Sequence, residues 1–209
     1  MINFHYGIYR STDLETIREF TRIYPLAMII THHNQEWACS MIPLSYDETN
    51  DVYVGHCDVN NPQFKKSKRF DCYVVFTGGN CYIPPEAYVT NQLPTWNYTS
   101  VNGEGVIEVI DDYSEKYSAL KLLVQEMRGH YNGFNLDDNK KRVESLIDGI
   151  IALKVKLKAI EGRYKLSQDK SKDDVNSALK YFASSVATSF DTELAKVLIA
   201  STRRMDDHR

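Results

Sequence analysis

The chain has 209 residues, a formal net charge of −3 and a pI near 6.1, which argues against a surface that captures nucleic acid or anionic membrane by charge alone. Hydrophobic residues make up 43% and charged residues 25%. That composition excludes a disordered chain and supports one sizeable core, read as a main domain over residues 1–171 with a helical extension over residues 172–209.

No charged leader with an apolar core opens the sequence, and no apolar run approaches the ~18 residues that span a bilayer. Cys39, Cys57, Cys72 and Cys81 are scattered, with no CxxC spacing and no histidine cluster. They read as buried free thiols in a reducing cytoplasm, with no membrane partner.

In chain order, Thr12 to Glu15 has the form of a T-x-x-E capping box, and Leu14, Ile17, Phe20 and Tyr24 follow at helical spacing until Pro25. Leu26–His32 and Glu36–Leu44 are apolar, β-leaning runs joined by a hairpin turn at His33, Asn34 and Gln35. Asp51–Cys57 follows as a third strand. The lysine-rich segment NNPQFKKSKRF makes a short helix or turn. Phe70–Gly78 is a fourth strand ending at Gly78-Gly79, and Asn80–Ile83 is a short fifth one stopped by Pro84-Pro85. Leu93 to Ile110 reads as a long strand with a glycine-marked bend, the kind of element a barrel uses to turn a corner.

Ser114–Met127 places Tyr117, Leu120, Leu123, Val124 and Met127 on one helical face, with Gly129 as its stop. Asn132–Asn139 is a loop, and Val143–Ile147 a short helix. From Ile151 the text alternates: Ile151, Leu153, Val155 and Leu157 face one way and Lys154, Lys156 and Lys158 the other, up to Glu161-Gly162. The lysine stripe reads as a solvated outer face, because no aromatics interleave with it. Val175, Leu179 and Phe182, then Leu194, Val197 and Leu198, repeat at helical spacing. Six to seven meandering antiparallel strands with peripheral helices make an α+β, barrel-like fold.

GxSxG, HExxH, P-loop and GxGxxG patterns are all absent, so hydrolase, zinc-protease, nucleotide-phosphate and Rossmann readings lack their mechanical parts. What remains is a binding site assembled from strand ends: Ser40, His56, Gln63, Lys65, Lys66, Thr95, Trp96, Asn97, Arg163, Lys165 and Gln168. Cations in this set suit a phosphate, while amides and the indole suit a ring system. The competing reading makes Trp96 a core aromatic, Asn97 an element-end hydrogen bonder and His56 a structural histidine.

GHCDVNNPQFKK, LPTWNYTSVNGEG and IEGRYKLSQDKS, in this order and spacing, resemble the signature segments of the PaiB-type family, the FMN-binding negative transcriptional regulators. The resemblance runs from PLAMIITH to about Ser171. It implies a split β-barrel related to the pyridoxamine-phosphate-oxidase-like flavoproteins, and a homodimer with FMN at the subunit interface. On that resemblance Lys65 or Lys66 with Arg163 and Lys165 hold phosphate, while Trp96, Asn97 and Gln168 hold the ring or ribityl chain. GFNLDD departs from the family pattern, and the tail beyond about Ala183 matches nothing recognised.

Three functions follow from the resemblance. The first is a flavin-dependent regulator or sensor, for which DNA is a partner unsupported by charge or motif. The second is a small FMN oxidoreductase, in which the cofactor carries the chemistry. The third is a haem-binding relative using His5, His130 or His208 as axial ligand.

Overall fold

Strand order explains how the chain meets itself. In the computed structural model, which describes residues 6–127, 134–186, 196, 197, 199 and 200, seven strands form one antiparallel sheet: β1 (Arg10–Ser11), β2 (Leu26–His33), β3 (Glu36–Asp47), β4 (Val52–Asp58), β5 (Arg69–Ile83), β6 (Thr95–Ile110) and β7 (Ile150–Lys165). The lateral order is β1-β7-β4-β3-β2-β5-β6, and β6 also pairs with β7, so the hydrogen-bonded circuit closes on itself. Closure removes the exposed edges that an open sheet of this length would present. The helices are α1 (Leu14–Ile23), α2 (Tyr113–Met127), α3 (Lys140–Glu144) and α4 (Lys172–Ser185). Gly129 and the tail positions Leu194 and Leu198 lie outside the described residues.

Two compact units emerge. One comprises residues 21–76 and 103–160. Here β2 and β3 pair from Leu26↔Pro43 to His33↔Glu36, and the turn places Asn34 and Gln35 at positive φ, 49° and 65°. Strict alternation puts Ala27, Ile29, Ile42 and Leu44 inside with Tyr53, Val74, Phe76, Leu153 and Val155, all 4% exposed or less. Burying each of the larger side chains contributes about 1.5–3 kcal/mol. Helix α2 covers β3 and β4, with Ala119 packed on Val54 and Ala152.

The second unit comprises residues 1–20, 77–102 and 161–209, and its interior holds Ile17, Phe20, Ile83, Val101, Tyr164, Leu166, Leu179 and Phe182. Helix α4 starts on a Ser-x-x-Asp box: the Asp174 N–H donates to Ser171 Oγ at 3.2 Å, and Ser171 Oγ donates to Asp174 Oδ2 at 2.8 Å.

Several predicted boundaries move. Helix α1 starts on Asp13, not Thr12: the Asp13 carbonyl accepts the Ile17 N–H, and its carboxylate accepts the Thr16 hydroxyl. The two strands expected either side of Gly78-Gly79 are the single strand β5. A Cβ at Gly78 would stand 2.5 Å from Thr99 Oγ1 and 2.8 Å from Phe20 Cζ, so this glycine makes room for neighbours and marks no turn. Likewise β7 runs through Glu161-Gly162 to Lys165, because Gly162 pairs with Ser11 and lies under the Tyr164 ring, 2.4 Å from where its Cβ would be. The helix expected at Val143–Ile147 is Lys140–Glu144, flanked by 3-10 turns at Asp137–Asn139 and Ile147–Gly149.

Candidate functional site

The eleven residues singled out from the sequence fall into two groups, one in each unit. In the unit built on β2, β3 and β4, the asparagine pair of NNPQFKK organises the chain leaving β4. Asn60 N–H donates to Asp58 Oδ1 at 2.6 Å, and Asn61 Oδ1 accepts the Gln63 N–H at 3.0 Å, capping the 3-10 turn Pro62–Phe64. Asn61 Nδ2 donates to Ser40 Oγ at 3.0 Å, so Ser40 serves this turn. Gln63 is buried, and its amide nitrogen donates to Ile29 O at 3.1 Å, Thr31 Oγ1 at 3.1 Å and Ala38 O at 3.3 Å. Its Oε1 is buried with no hydrogen-bond partner among the described residues. His56 Nδ1 likewise has no partner among the described residues, and burial lowers the His56 pKa.

After the turn, Phe64, Lys65, Lys66, Ser67 and Lys68 line a cleft of about 290 Å³, closed by Val59, Val109, Asp111 and Ile151. Lys65 Nζ donates to Asn60 Oδ1 at 3.1 Å, and Lys66 pairs with Glu36. Lys68 reaches no acceptor among the described residues, although its backbone carbonyl accepts the Val109 N–H at 2.9 Å. Asp111, the acid in the wall, is neutralised: buried Lys116 donates to its carboxylate at 3.0 Å and holds its pKa below the ordinary range. The cleft therefore presents excess positive charge. The sequence reading found Lys65 and Lys66 but missed Ser67 and Lys68, although the KKSK run carried the signal.

The other group sits in the second unit. Asn97 is fully buried and exchanges hydrogen bonds with Ser167 Oγ at 3.0 and 3.1 Å, and Tyr88 OH lies 2.9 Å from the same oxygen. Ser167 adopts a φ of 64°, a costly conformation for a non-glycine residue, which this knot holds in place. Gln168 accepts the Leu166 N–H at 2.7 Å and donates to Ile8 O and Tyr164 O. Both amides are thus spent inside the fold. Arg163 is forked onto Glu161 at 2.8 and 3.0 Å, and Arg10 shares that carboxylate at 2.9 Å.

Thr95, Trp96 and Lys165 do come together. Lys165 Nζ donates to Thr95 Oγ1 and, at 2.8 Å, to the Trp96 carbonyl, while burial lowers its pKa. Trp96 is 53% exposed, so it is not a core aromatic.

The lysine stripe of β7 is the outer face expected, and each member is ion-paired: Lys154 with Glu115 at 2.6 Å, Lys156 with Asp51 at 2.5 Å and Lys158 with Asp71 at 3.8 Å. Of the cysteines, Cys72 is buried and Cys39 is exposed, against the expectation of a buried thiol there. His5, His130 and His208 lie outside the described residues, and no group of three or more His, Cys, Asp or Glu placed to hold a metal occurs among those described.

Comparison with known proteins adds three findings. Residues 4–159 match the family described as "Putative FMN-binding domain". The protease synthase and sporulation protein PAI 2 of Bacillus subtilis (strain 168) is 28% identical over 171 residues, spanning 79% of this chain and 82% of that protein. Among solved structures, the FAD and heme binding protein of Mycobacterium smegmatis superposes with a TM-score of 0.57 at 15% identity, over 81% of this chain and 80% of that one. The flavocytochrome of Azotobacter vinelandii does so with a TM-score of 0.54 at 16% identity, over 78% and 72%. At these identities the structural matches speak to the fold alone, a split barrel.

Proposed function

The chain belongs to the FMN-binding domain family, and on that footing we propose that it is a flavin-dependent regulatory protein whose FMN phosphate sits in the cleft lined by Lys65, Lys66, Ser67 and Lys68. The observation that carries the reading is the charge of that cleft: of the lysines that line it Lys66 is paired with Glu36, the Asp111 carboxylate in its wall is paired with Lys116, and Lys65 and Lys68 have no ion-pair partner among the described residues. A phosphate monoester dianion with several acceptor oxygens matches that donor set. In the same unit the buried Gln63 Oε1 has no donor among the described residues and suits a ligand offering an N–H or O–H group. The residues therefore fit the cofactor. FMN, once bound, supplies one- or two-electron transfer, and the chain's part is to bind, orient and shield it.

The regulatory output is supported by the curated relative, whose name assigns it to protease synthesis and sporulation. Direct contact with DNA gains no support from the β7 lysine stripe, whose charges are matched by Glu115, Asp51 and Asp71. That pairing favours a second reading, a small FMN oxidoreductase. A mobility-shift assay on DNA from upstream of the chain's own gene, with FMN oxidised and then reduced by dithionite, decides between them. A shift in one redox state only is expected for a flavin-dependent regulator. No shift in either state, together with rapid reduction of bound FMN by a nicotinamide nucleotide, overturns the regulatory reading in favour of the enzyme.

A homodimer belongs to the same proposal. The outer face of the β2–β3 hairpin carries the cross-strand pairs Leu26/Pro43, Met28/Met41 and His32/Trp37, with Trp37 74% and Met41 52% exposed. A contiguous apolar strip of this kind is costly to leave in water and suits a second copy of the chain.

No helix among the described residues is long and apolar enough to cross a membrane.

A further inference from the structure

A second acid reaches the lysine cleft from the β2–β3 hairpin. Glu36 follows the turn whose two central residues, Asn34 and Gln35, take positive φ, and it pairs across the hairpin with His33. The His33 ring meets the Phe70 ring edge-on, with centroids 5.6 Å apart. Phe70 in turn meets Phe64, a buried wall of the cleft, edge-on at 6.0 Å. The hairpin tip is thus seated on the aromatic wall, with the Glu36 carboxylate on the Lys66 ammonium. The hydrogen bond from Lys66 holds the Glu36 pKa below the ordinary range, and the charge of His33 adds to the effect.

Both side chains of this pair are well exposed, Lys66 49% and Glu36 68%. An exposed ion pair contributes little to stability, so its effect is on the charge of the cleft. Lys65, Lys66 and Lys68 face the cleft, and Lys116 stands behind Asp111. The carboxylates are Glu36, on Lys66, and Asp111, which is held by Lys116 and acted on by the charge of Lys68. Four ammonium groups against two carboxylates leave an excess of two positive charges. A phosphate monoester carries about 1.5–2 negative charges at neutral pH, which this excess balances.

We propose that Glu36 sets the charge selectivity of the cleft: by occupying Lys66 it fits the cleft to a phosphate monoester and discriminates against more highly charged phosphates such as a pyrophosphate. The inference rests on the reading of the cleft as a phosphate site and adds the residue that limits which phosphate it takes.

Quenching of flavin fluorescence at low ionic strength gives the affinities of FMN and riboflavin for the full chain, and displacement of FMN gives that of inorganic pyrophosphate. Removing one negative charge strengthens binding in proportion to the charge of the ligand. Glu36→Gln should therefore tighten FMN about threefold, pyrophosphate by more and riboflavin not at all, with gains that shrink as salt is added. Lys66→Ala leaves the carboxylate unanswered and should weaken FMN, while Glu36→Gln/Lys66→Ala should return it to within about twofold of the parent chain. FMN affinity that is unchanged or lowered in Glu36→Gln, when Lys65→Ala/Lys68→Ala still weakens FMN, overturns the proposal. So does a gain as large for riboflavin as for pyrophosphate, which would make the effect one of shape. If Lys65→Ala/Lys68→Ala leaves FMN unaffected, the phosphate reading of the cleft fails and this inference falls with it.

Discussion

Asp174 shows how one side chain ties a loop to the start of a helix. Its carboxylate accepts the Val89 N–H at 2.8 Å, the Thr90 N–H at 2.9 Å and the Thr90 hydroxyl at 2.7 Å, besides capping α4 through Ser171. The Thr90 donors hold its carboxyl down at about 2. Because the folded value is depressed, the stability this carboxylate contributes is present above its unfolded value, about 3.9, and is lost as the pH falls through about 2. Asp174→Asn should therefore lower the thermal midpoint at neutral pH, and the gap to the parent chain should close between about pH 4 and pH 2. A gap that persists unchanged at the lowest pH would mean that the charge is not what holds the segment at Val89 and Thr90. None of this was legible in the sequence, where Asp174 is one acid in the run KDD. Asn97 and Gln168 teach the same lesson, since residue type named them as hydrogen bonders but only the fold decides that Ser167, Leu166 and Tyr164 consume them.

The elements were read most securely where periodicity was strong and least securely where a glycine interrupted it. The alternation of Ile151, Leu153 and Val155 gave β7 its faces, and the paired runs Leu26–His32 and Glu36–Leu44 gave the hairpin its turn. Gly78, Gly79 and Gly162 read as stops because a lone sequence cannot tell a glycine that bends the chain from one that admits a neighbour. Gly105 is the sharpest instance of the second kind. A Cβ there would lie 2.1 Å from the Lys156 carbonyl oxygen and 2.8 Å from Leu157 Cα, backbone atoms that cannot rotate away. Gly105→Ala should force β6 and β7 apart and cost about 3 kcal/mol of stability. Urea unfolding with an unchanged slope and a lower midpoint is the expected record, and an unshifted midpoint would show that the strand pair gives way at little cost.

For the whole molecule, the barrel-like fold and its flavin-binding lineage were visible because three motifs stand in order along the chain. The site's charge balance was not, because pairing of Asp111 with Lys116, or of the β7 lysines with acids from other elements, is a property of the folded surface. The homodimer is tested at this scale. Met28→Glu/Met41→Glu places two like charges opposite one another on the exposed face and should convert a dimer to a monomer by light scattering, with the far-UV spectrum kept. A dimer that survives both changes would move the interface elsewhere.

The central claim is that the lysine cleft holds the phosphate of FMN, and titration of FMN and of riboflavin into the purified chain, followed by quenching of flavin fluorescence, addresses it most directly. FMN is expected to bind saturably and more tightly than riboflavin, and Lys65→Ala/Lys68→Ala should weaken FMN by about tenfold or more without altering riboflavin. Equal affinities for the two flavins, indifferent to the loss of both lysines, would contradict it.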